Sequence, residues 1–189
     1  MSEGVLAVVS GFSGVGKGTL VKELVKRYDD YALSISATTR KPRPGEVDGR
    51  EYFFITKEEF EKRISEGRFL EYTSYVGNYY GTPRDYVVEQ VKKGKNIILE
   101  IEIEGGFNVK KAYPDAKLIF VIPPSKEELE RRLRKRGSET EDEIQRRLAR
   151  AVEEEKYMNK YDYILVNDDF EDSLNKLNLI IRNREDKKS

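Results

Sequence analysis

The chain has 189 residues, enough for one domain with a full core and inserted lobes. Lysine and arginine total 35, as do aspartate and glutamate. No global field therefore singles out nucleic acid or an acidic membrane as partner, and any anion site must come from locally placed cations. Cysteine and histidine are both absent, which excludes a disulfide framework, thiolate or imidazole metal ligands and the commonest general base. No apolar run is long enough for a bilayer and the N-terminus lacks a signal-peptide profile, so a cytoplasmic location is expected.

The first apolar run, Val5-Leu6-Ala7-Val8-Val9, reads as a buried strand leading into Gly11-Phe12-Ser13-Gly14-Val15-Gly16-Lys17-Gly18-Thr19. Strand, glycine loop and helix in that order make a cradle for a nucleotide's polyphosphate. The glycines let backbone N–H groups turn toward phosphate oxygens without a Cβ clash, and Lys17 adds a point charge. The following helix aims its positive end at the same spot. Its apolar stripe is Leu20, Val21, Leu24, Val25 and Tyr28. One position departs from the usual pattern: Gly18 stands where a metal-binding hydroxyl is normal, and the hydroxyl comes one residue later at Thr19. Magnesium is then expected to be held through phosphates and water, with no certain side-chain ligand.

Tyr31 to Ala37 alternates as one short strand, with Leu33 and Ile35 on one face. In the proline-stiffened loop that follows, Arg40 and Arg43 lie three apart. Two guanidinium forks with hydroxyls from Ser36, Tyr52 and Tyr80 suit a phosphate monoester; the competing reading is a solvated basic turn. Glu51 to Ile55 is a strand, Thr56 to Glu59 is a capping box for a short helix bearing Phe60 and Ile64, and Gly67 closes that helix. Phe69 to Thr73 is a strand, and Gly77 to Gly81 marks a turn into more extended chain. Glu71 offers two acceptors that match the adjacent N1–H and N2–H donors of guanine, and Thr82 a hydroxyl for O6. The alternatives are an ordinary strand residue for Glu71 and a helix N-cap for Thr82.

Thr82 and Pro83 open a helix that carries Tyr86, Val87 and Val91 and stops at Gly94. Ile97-Ile98-Leu99 reads as a buried parallel strand continuing into alternation, with Glu100 and Glu102 on one face. Leu118 to Ile122 is a second such strand, ended by Pro123-Pro124. Capping boxes at Ser125–Glu128 and Thr140–Glu143 open two charged helices. The first has the stripe Leu129 and Leu133 and ends at Gly137; the second has Ile144, Leu148, Ala151 and Val152. Arg132, Arg136 and Arg147 border these stripes, whereas Arg146 and Arg150 face away. Alone, such helices are solvated faces with pairs like Glu128–Arg132. Beside a phosphate loop, the three arginines read better as a flap that stabilises the spread charge of phosphoryl transfer. Tyr163 to Val166 is a last strand before a terminal helix. The expected fold class is α/β: a P-loop three-layer core with a parallel sheet, an inserted mixed α/β lobe and a helical lid.

Several blocks, taken in order, resemble the guanylate kinase family nearly end to end. They are Ser10 to Thr19, Ser36 to Arg40 with Pro42-Arg43, Gly45 to Gly49, Gly77 to Thr82, Pro123 to Ser125, Arg136 to Thr140 and Val166 to Asp169. The resemblance implies transfer of the γ-phosphate of ATP to GMP, and also dGMP, with Mg2+, giving ADP and GDP. It implies ATP contacts along Gly11 to Thr19, with Asn167 near the adenine. Lys17, Arg132, Arg136 and Arg147 would surround the transferring phosphate. GMP would meet Ser36, Arg40, Arg43, Tyr52 and Tyr80 at its phosphate and Glu71 and Thr82 at its base, with Glu102 close by. The implied division is a core of about 1–34, 85–124 and 158–189, a GMP-binding lobe of about 35–84 and a lid of about 125–157. Phe12 departs from a common proline, and Glu100 and Glu102 from paired aspartates. The alternatives are a non-catalytic binding module of the same fold and a kinase for another phosphorylated acceptor. Nucleic acid and membrane are not expected partners, and the oligomeric state stays open.

Overall fold

Continuous apolar runs must be covered on both faces, and here they become the parallel strands of a central sheet. The computed structural model describes residues 3–135, 137 and 140–183. In chain order its elements are β1 (Leu6–Gly11), α1 (Lys17–Arg27), β2 (Tyr31–Leu33), β3 (Ala37–Thr38), β4 (Phe53–Phe54), α2 (Lys57–Ser65), β5 (Phe69–Tyr75) and β6 (Asn78–Pro83). Then come α3 (Arg84–Lys92), β7 (Asn96–Glu100), α4 (Ile103–Ala112), β8 (Lys117–Ile122), α5 (Lys126–Lys135), α6 (Glu141–Glu155), β9 (Tyr163–Val166) and α7 (Phe170–Arg182).

The central sheet has the order β2-β7-β1-β8-β9, and every pairing in it is parallel. Leu6 to Val9 are buried, as are Ile97 to Leu99 and Leu118 to Val121. The middle strand, β1, has β7 on one side and β8 on the other, neither of them its neighbour in sequence. Strand order therefore reverses at β1, and a crevice opens beyond the carboxyl ends of the strands at that point. Gly11 ends β1, so the glycine loop falls into this crevice.

A second sheet, of order β4-β3-β6-β5, is built from the stretch between Ala37 and Pro83. Its core is small: Ala37, Phe60 and Phe69 are buried together. Phe60 stacks on Phe69 at 4.3 Å and on Tyr79 at 5.1 Å between ring centroids. Burying Phe60 is worth about 1.5–3 kcal/mol, which a cluster of this size cannot spare. A register shift between Phe69 and Glu71 lets Phe69 enter this small core while Leu70 joins the main one. Glu71 is thereby aimed at the junction of the two, beside α4.

Several elements differ from the sequence reading. The expected strand from Tyr31 to Ala37 is two strands in two sheets, and Ser34 to Ser36 carry the chain across. Alternation cannot reveal such a transfer, because both halves keep period two. The strand at Glu51 to Ile55 shrinks to Phe53–Phe54, and the expected turn from Gly77 to Gly81 is mostly strand β6. Thr82 belongs to that strand and is no N-cap; Pro83 takes the cap position of α3. The alternation after Leu99 stops at Glu100, and Glu102 stands, without a side-chain capping bond, at the N-cap position of a helix, α4, that Gly105-Gly106 had disguised. Gly106 is needed there because an added Cβ would stand 2.9 Å from the Tyr161 hydroxyl and 3.3 Å from Val8. On α6, Ile144 and Ala151 are buried but Val152 is exposed. Among the described residues, no helix is long and apolar enough to cross a membrane.

Candidate functional site

The glycine loop joins β1 to α1, whose N-terminus has no side-chain cap and no acidic residue in its first turn. Its leading N–H groups and positive dipole end are thus left for an anion. Gly16, at the cap position, has φ 94°, a value that L side chains rarely adopt, and an added Cβ would meet the Asn167 amide nitrogen at 2.8 Å. Lys17 arches back so that its Nζ donates to the Gly11 carbonyl at 3.2 Å, across the loop mouth. Phe12, the residue in the common proline position, is buried and meets Phe120 edge-on at 5.3 Å. Its ring fixes the back of the loop to β8.

Helices α5 and α6 bring arginines to the loop. Arg132 donates to the Val15 carbonyl at 3.2 Å while Glu128 holds its Nε at 2.7 Å. Arg132 thus keeps the helix pair with Glu128 and also touches the backbone of the glycine loop. Arg147 donates to the Ser13 hydroxyl. Arg136 lies outside the described residues. Asn167, expected beside the adenine, spends its amide N–H on the Val15 carbonyl at 2.8 Å in a buried setting. Val15 therefore receives two donors, one from the end of β9 and one from α5, which pins the peptide that turns the loop.

Glu100 stands against α1: a Cβ on Gly18 would lie 3.1 and 3.3 Å from its two carboxylate oxygens. The missing hydroxyl at position 18 thus leaves room that a carboxylate fills. A single carboxylate among phosphates and water suits magnesium, which dehydrates reluctantly and takes oxygen ligands. No group of three or more acidic side chains that could hold a metal ion occurs among the described residues.

The second sheet supplies a different cluster. Glu71 and Thr82 are paired across β5 and β6, and the Thr82 hydroxyl donates to Glu71 Oε1 at 2.5 Å. Thr82 is buried and Glu71 half-buried. Burial raises the Glu71 carboxyl above its ordinary range, while hydrogen bonds from Thr82 pull the other way. Its second oxygen faces the α4 N-terminal turn at Gly105. On the neighbouring loop, Arg40 lies over the rings of Tyr52 and Phe54, at 5.4 and 5.7 Å, and Tyr52 meets Tyr80 edge-on at 6.1 Å. Ser36 is half-buried on the crossing segment, with its carbonyl accepting from Phe53 N–H at 2.9 Å. Arg43 is exposed.

Two contacts escape the sequence reading. Arg150, placed on the outward face by helix geometry, pairs with Glu102 at the start of α4 as well as with Glu154 one turn on. Its long side chain reaches around the helix, so wheel position alone misplaces it. Glu46 takes both terminal nitrogens of Arg40, at 2.8 and 3.0 Å. The tripeptide Pro44-Gly45-Glu46 carried the signal, since Pro-Gly at the centre of a turn returns the chain on itself.

A family model described as guanylate kinase matches residues 4–184. A guanylate kinase of Clostridium perfringens strain 13 is 51% identical over 180 residues, covering 95% of this chain and 83% of the relative. One from Synechocystis is 51% identical over 183 residues, covering 97% of this chain and 96% of the relative. Among solved structures, the guanylate kinase of Anaplasma phagocytophilum superposes with a TM-score of 0.67 at 34% identity, covering 96% of this chain and 86% of that one.

Proposed function

The chain belongs to the guanylate kinase family, and we propose that it carries out the reaction that name denotes, passing the γ-phosphate of ATP to GMP with release of ADP and GDP. The observation that carries this reading is the hydrogen-bonded Glu71–Thr82 pair, set on the second sheet in the same fold as the glycine loop. The Glu71 carboxylate, steadied by the Thr82 hydroxyl, offers acceptors to guanine's N–H pair; adenine lacks that donor pair. dGMP shares this base and is a substrate on the same ground.

In this reading the loop N–H groups and Lys17 cradle the β- and γ-phosphates of ATP, and Asn167 shapes the loop. Arg132, Arg136 and Arg147 close on the transferring group, whose loose transition state needs charge and alignment more than a strong base. Arg40, Arg43, Ser36, Tyr52 and Tyr80 hold the acceptor phosphate in line with it. Glu102, next to the acceptor, and Arg150 join the lid to the GMP side. Magnesium, when bound, neutralises phosphate charge; Glu100 is the side chain that would orient its water shell.

The division into a core, a GMP-binding lobe of about 35–84 and a lid of about 125–157 belongs to the same proposal. It is supported by the separate small core of the second sheet and by the arginines on α5 and α6. Closing of both parts over the nucleotides would exclude water and spare the γ-phosphate from hydrolysis. A cytoplasmic setting is part of the reading. The binding-module alternative is not favoured, because Lys17 and the arginine set are all retained. The test is a coupled ADP-release assay with ATP, magnesium and GMP, dGMP, AMP, CMP or UMP. Turnover confined to guanine nucleotides is expected; turnover with none of them by a folded protein would overturn the assignment.

A further inference from the structure

A guanidinium binds phosphate well only if its donors are already aimed, and Arg40 is held on several sides at once. Both Nη1–H groups are spent, on the Lys41 carbonyl at 2.7 Å and on Glu46 Oε2 at 3.0 Å. One Nη2–H goes to Glu46 Oε1 at 2.8 Å. The plane of the group lies over Tyr52 and Phe54. Glu46 and the Lys41 carbonyl leave the side-on pair, Nε–H and the second Nη2–H, on the edge turned away from Glu46. The Tyr80 hydroxyl is a further hydrogen-bond partner of this guanidinium, and an incoming phosphate would share it. A side-on pair is one of the two edges by which arginine grips a phosphate with two parallel bonds.

Glu46 reaches Arg40 because the chain turns tightly between them. Glu46 N–H donates to the Arg43 carbonyl at 3.0 Å, and Gly45 between them has φ 87°, where glycine is favoured. Glu46 Oε2 also accepts the Arg43 backbone N–H at 2.7 Å. One carboxylate thus ties together the segments that carry both arginines. The pair is largely enclosed, with side-chain exposures of 16% for Arg40 and 17% for Glu46. Hydrogen bonds from Arg40, then from Arg43, hold the Glu46 carboxyl below the usual carboxylate range.

We propose that Glu46 is a positioning residue for the acceptor phosphate: it fixes Arg40 and the Arg43 turn so that the side-on edge of Arg40 is presented to a phosphate monoester. The inference rests on the reading of Arg40 as a GMP-phosphate contact. It makes a counter-intuitive claim, because Coulomb's law alone says that removing a carboxylate near an anion site should tighten anion binding. Positioning says the opposite, and the sign separates the two.

The experiment compares GMP with guanosine, which keeps the base and lacks the phosphate, by calorimetric titration of the full-length protein, alongside steady-state kinetics. In Glu46→Gln, which keeps shape but loses charge, GMP should bind roughly tenfold more weakly, with the loss carried mainly in KM. Guanosine affinity should move by less than about twofold, a split that mere loosening of the fold would not produce. Glu46→Asp, charged but one methylene short, should also weaken GMP. Unchanged or tighter GMP binding in Glu46→Gln, or equal weakening of guanosine, would overturn the proposal. Arg40→Ala is the control: if it too leaves the GMP-to-guanosine ratio intact, the assignment of Arg40 fails and takes the proposal with it. If Arg40→Ala erases the ratio while both Glu46 variants preserve it, only the role of Glu46 is refuted.

Discussion

Replacing Glu71 by glutamine changes one atom of the guanine-reading pair, and the structure says which. Oε1 already accepts the Thr82 hydroxyl at 2.5 Å, so the glutamine carbonyl oxygen takes that place and the new NH2 falls where Oε2 stood. That NH2 then meets guanine's own N–H groups, donor against donor. A charge-assisted hydrogen bond is worth about 1.5–3 kcal/mol, so KM for GMP should rise roughly 10- to 150-fold with kcat changed far less. IMP, which lacks the 2-amino group, should lose less than GMP. The pH dependence follows from burial, which raises the Glu71 carboxyl. Wild-type affinity for GMP should fall on acidification at a higher pH than an ordinary carboxylate would give, and the glutamine variant should show no such step. Stability runs the other way. A carboxyl whose folded pKa is raised contributes stability that is full below its unfolded pKa and lost as pH rises through the folded one. The ligand-free variant should therefore melt no lower than wild type at pH 7, and its advantage should vanish in acid. Steady-state assays with GMP and IMP from pH 5 to 8, with melting curves over the same range, decide the matter. A KM for GMP within about twofold of wild type, or equal losses for GMP and IMP together with an unchanged acid limb, would refute the reasoning.

Other expectations follow from the same geometry. Lys17→Ala should abolish transfer, judged by ADP release, while melting close to wild type, since Nζ makes its 3.2 Å bond across an open loop mouth. Phe12→Ala should cost about 3–5 kcal/mol of stability, read as a shift in denaturation midpoint, because the ring is buried against Phe120. A cost under about 1 kcal/mol would show that the loop is not anchored there. Asn167→Ala should raise KM for ATP and GTP by similar factors and cost about 1–3 kcal/mol of stability, because its buried amide serves the Val15 carbonyl. A loss confined to ATP would instead make it an adenine contact.

Parts whose chemistry is local are legible in the order of residues alone. Glycines, lysine and the helix start at residues 11–19 are consecutive, and a strand–loop–helix cradle needs nothing from elsewhere. Buried parallel strands are equally legible, because Ile97-Ile98-Leu99 and Leu118 to Ile122 are apolar on both faces whatever they pair with. Helix periodicity placed Arg132 and Arg147 beside packed stripes, and both reach the loop. What depends on register and on distant partners emerges with the folded chain. That Glu71 stands opposite Thr82 follows from a shift in a hairpin register, and that Tyr31 to Thr38 divides between two sheets follows from which edges accept the chain. The pairing of Arg150 with Glu102, the seat of Asn167 on the glycine loop and the turn that folds Glu46 onto Arg40 are contacts of long or bent side chains. Periodicity reports which face a residue leaves the backbone from; where a flexible side chain ends depends on charges brought near by the fold.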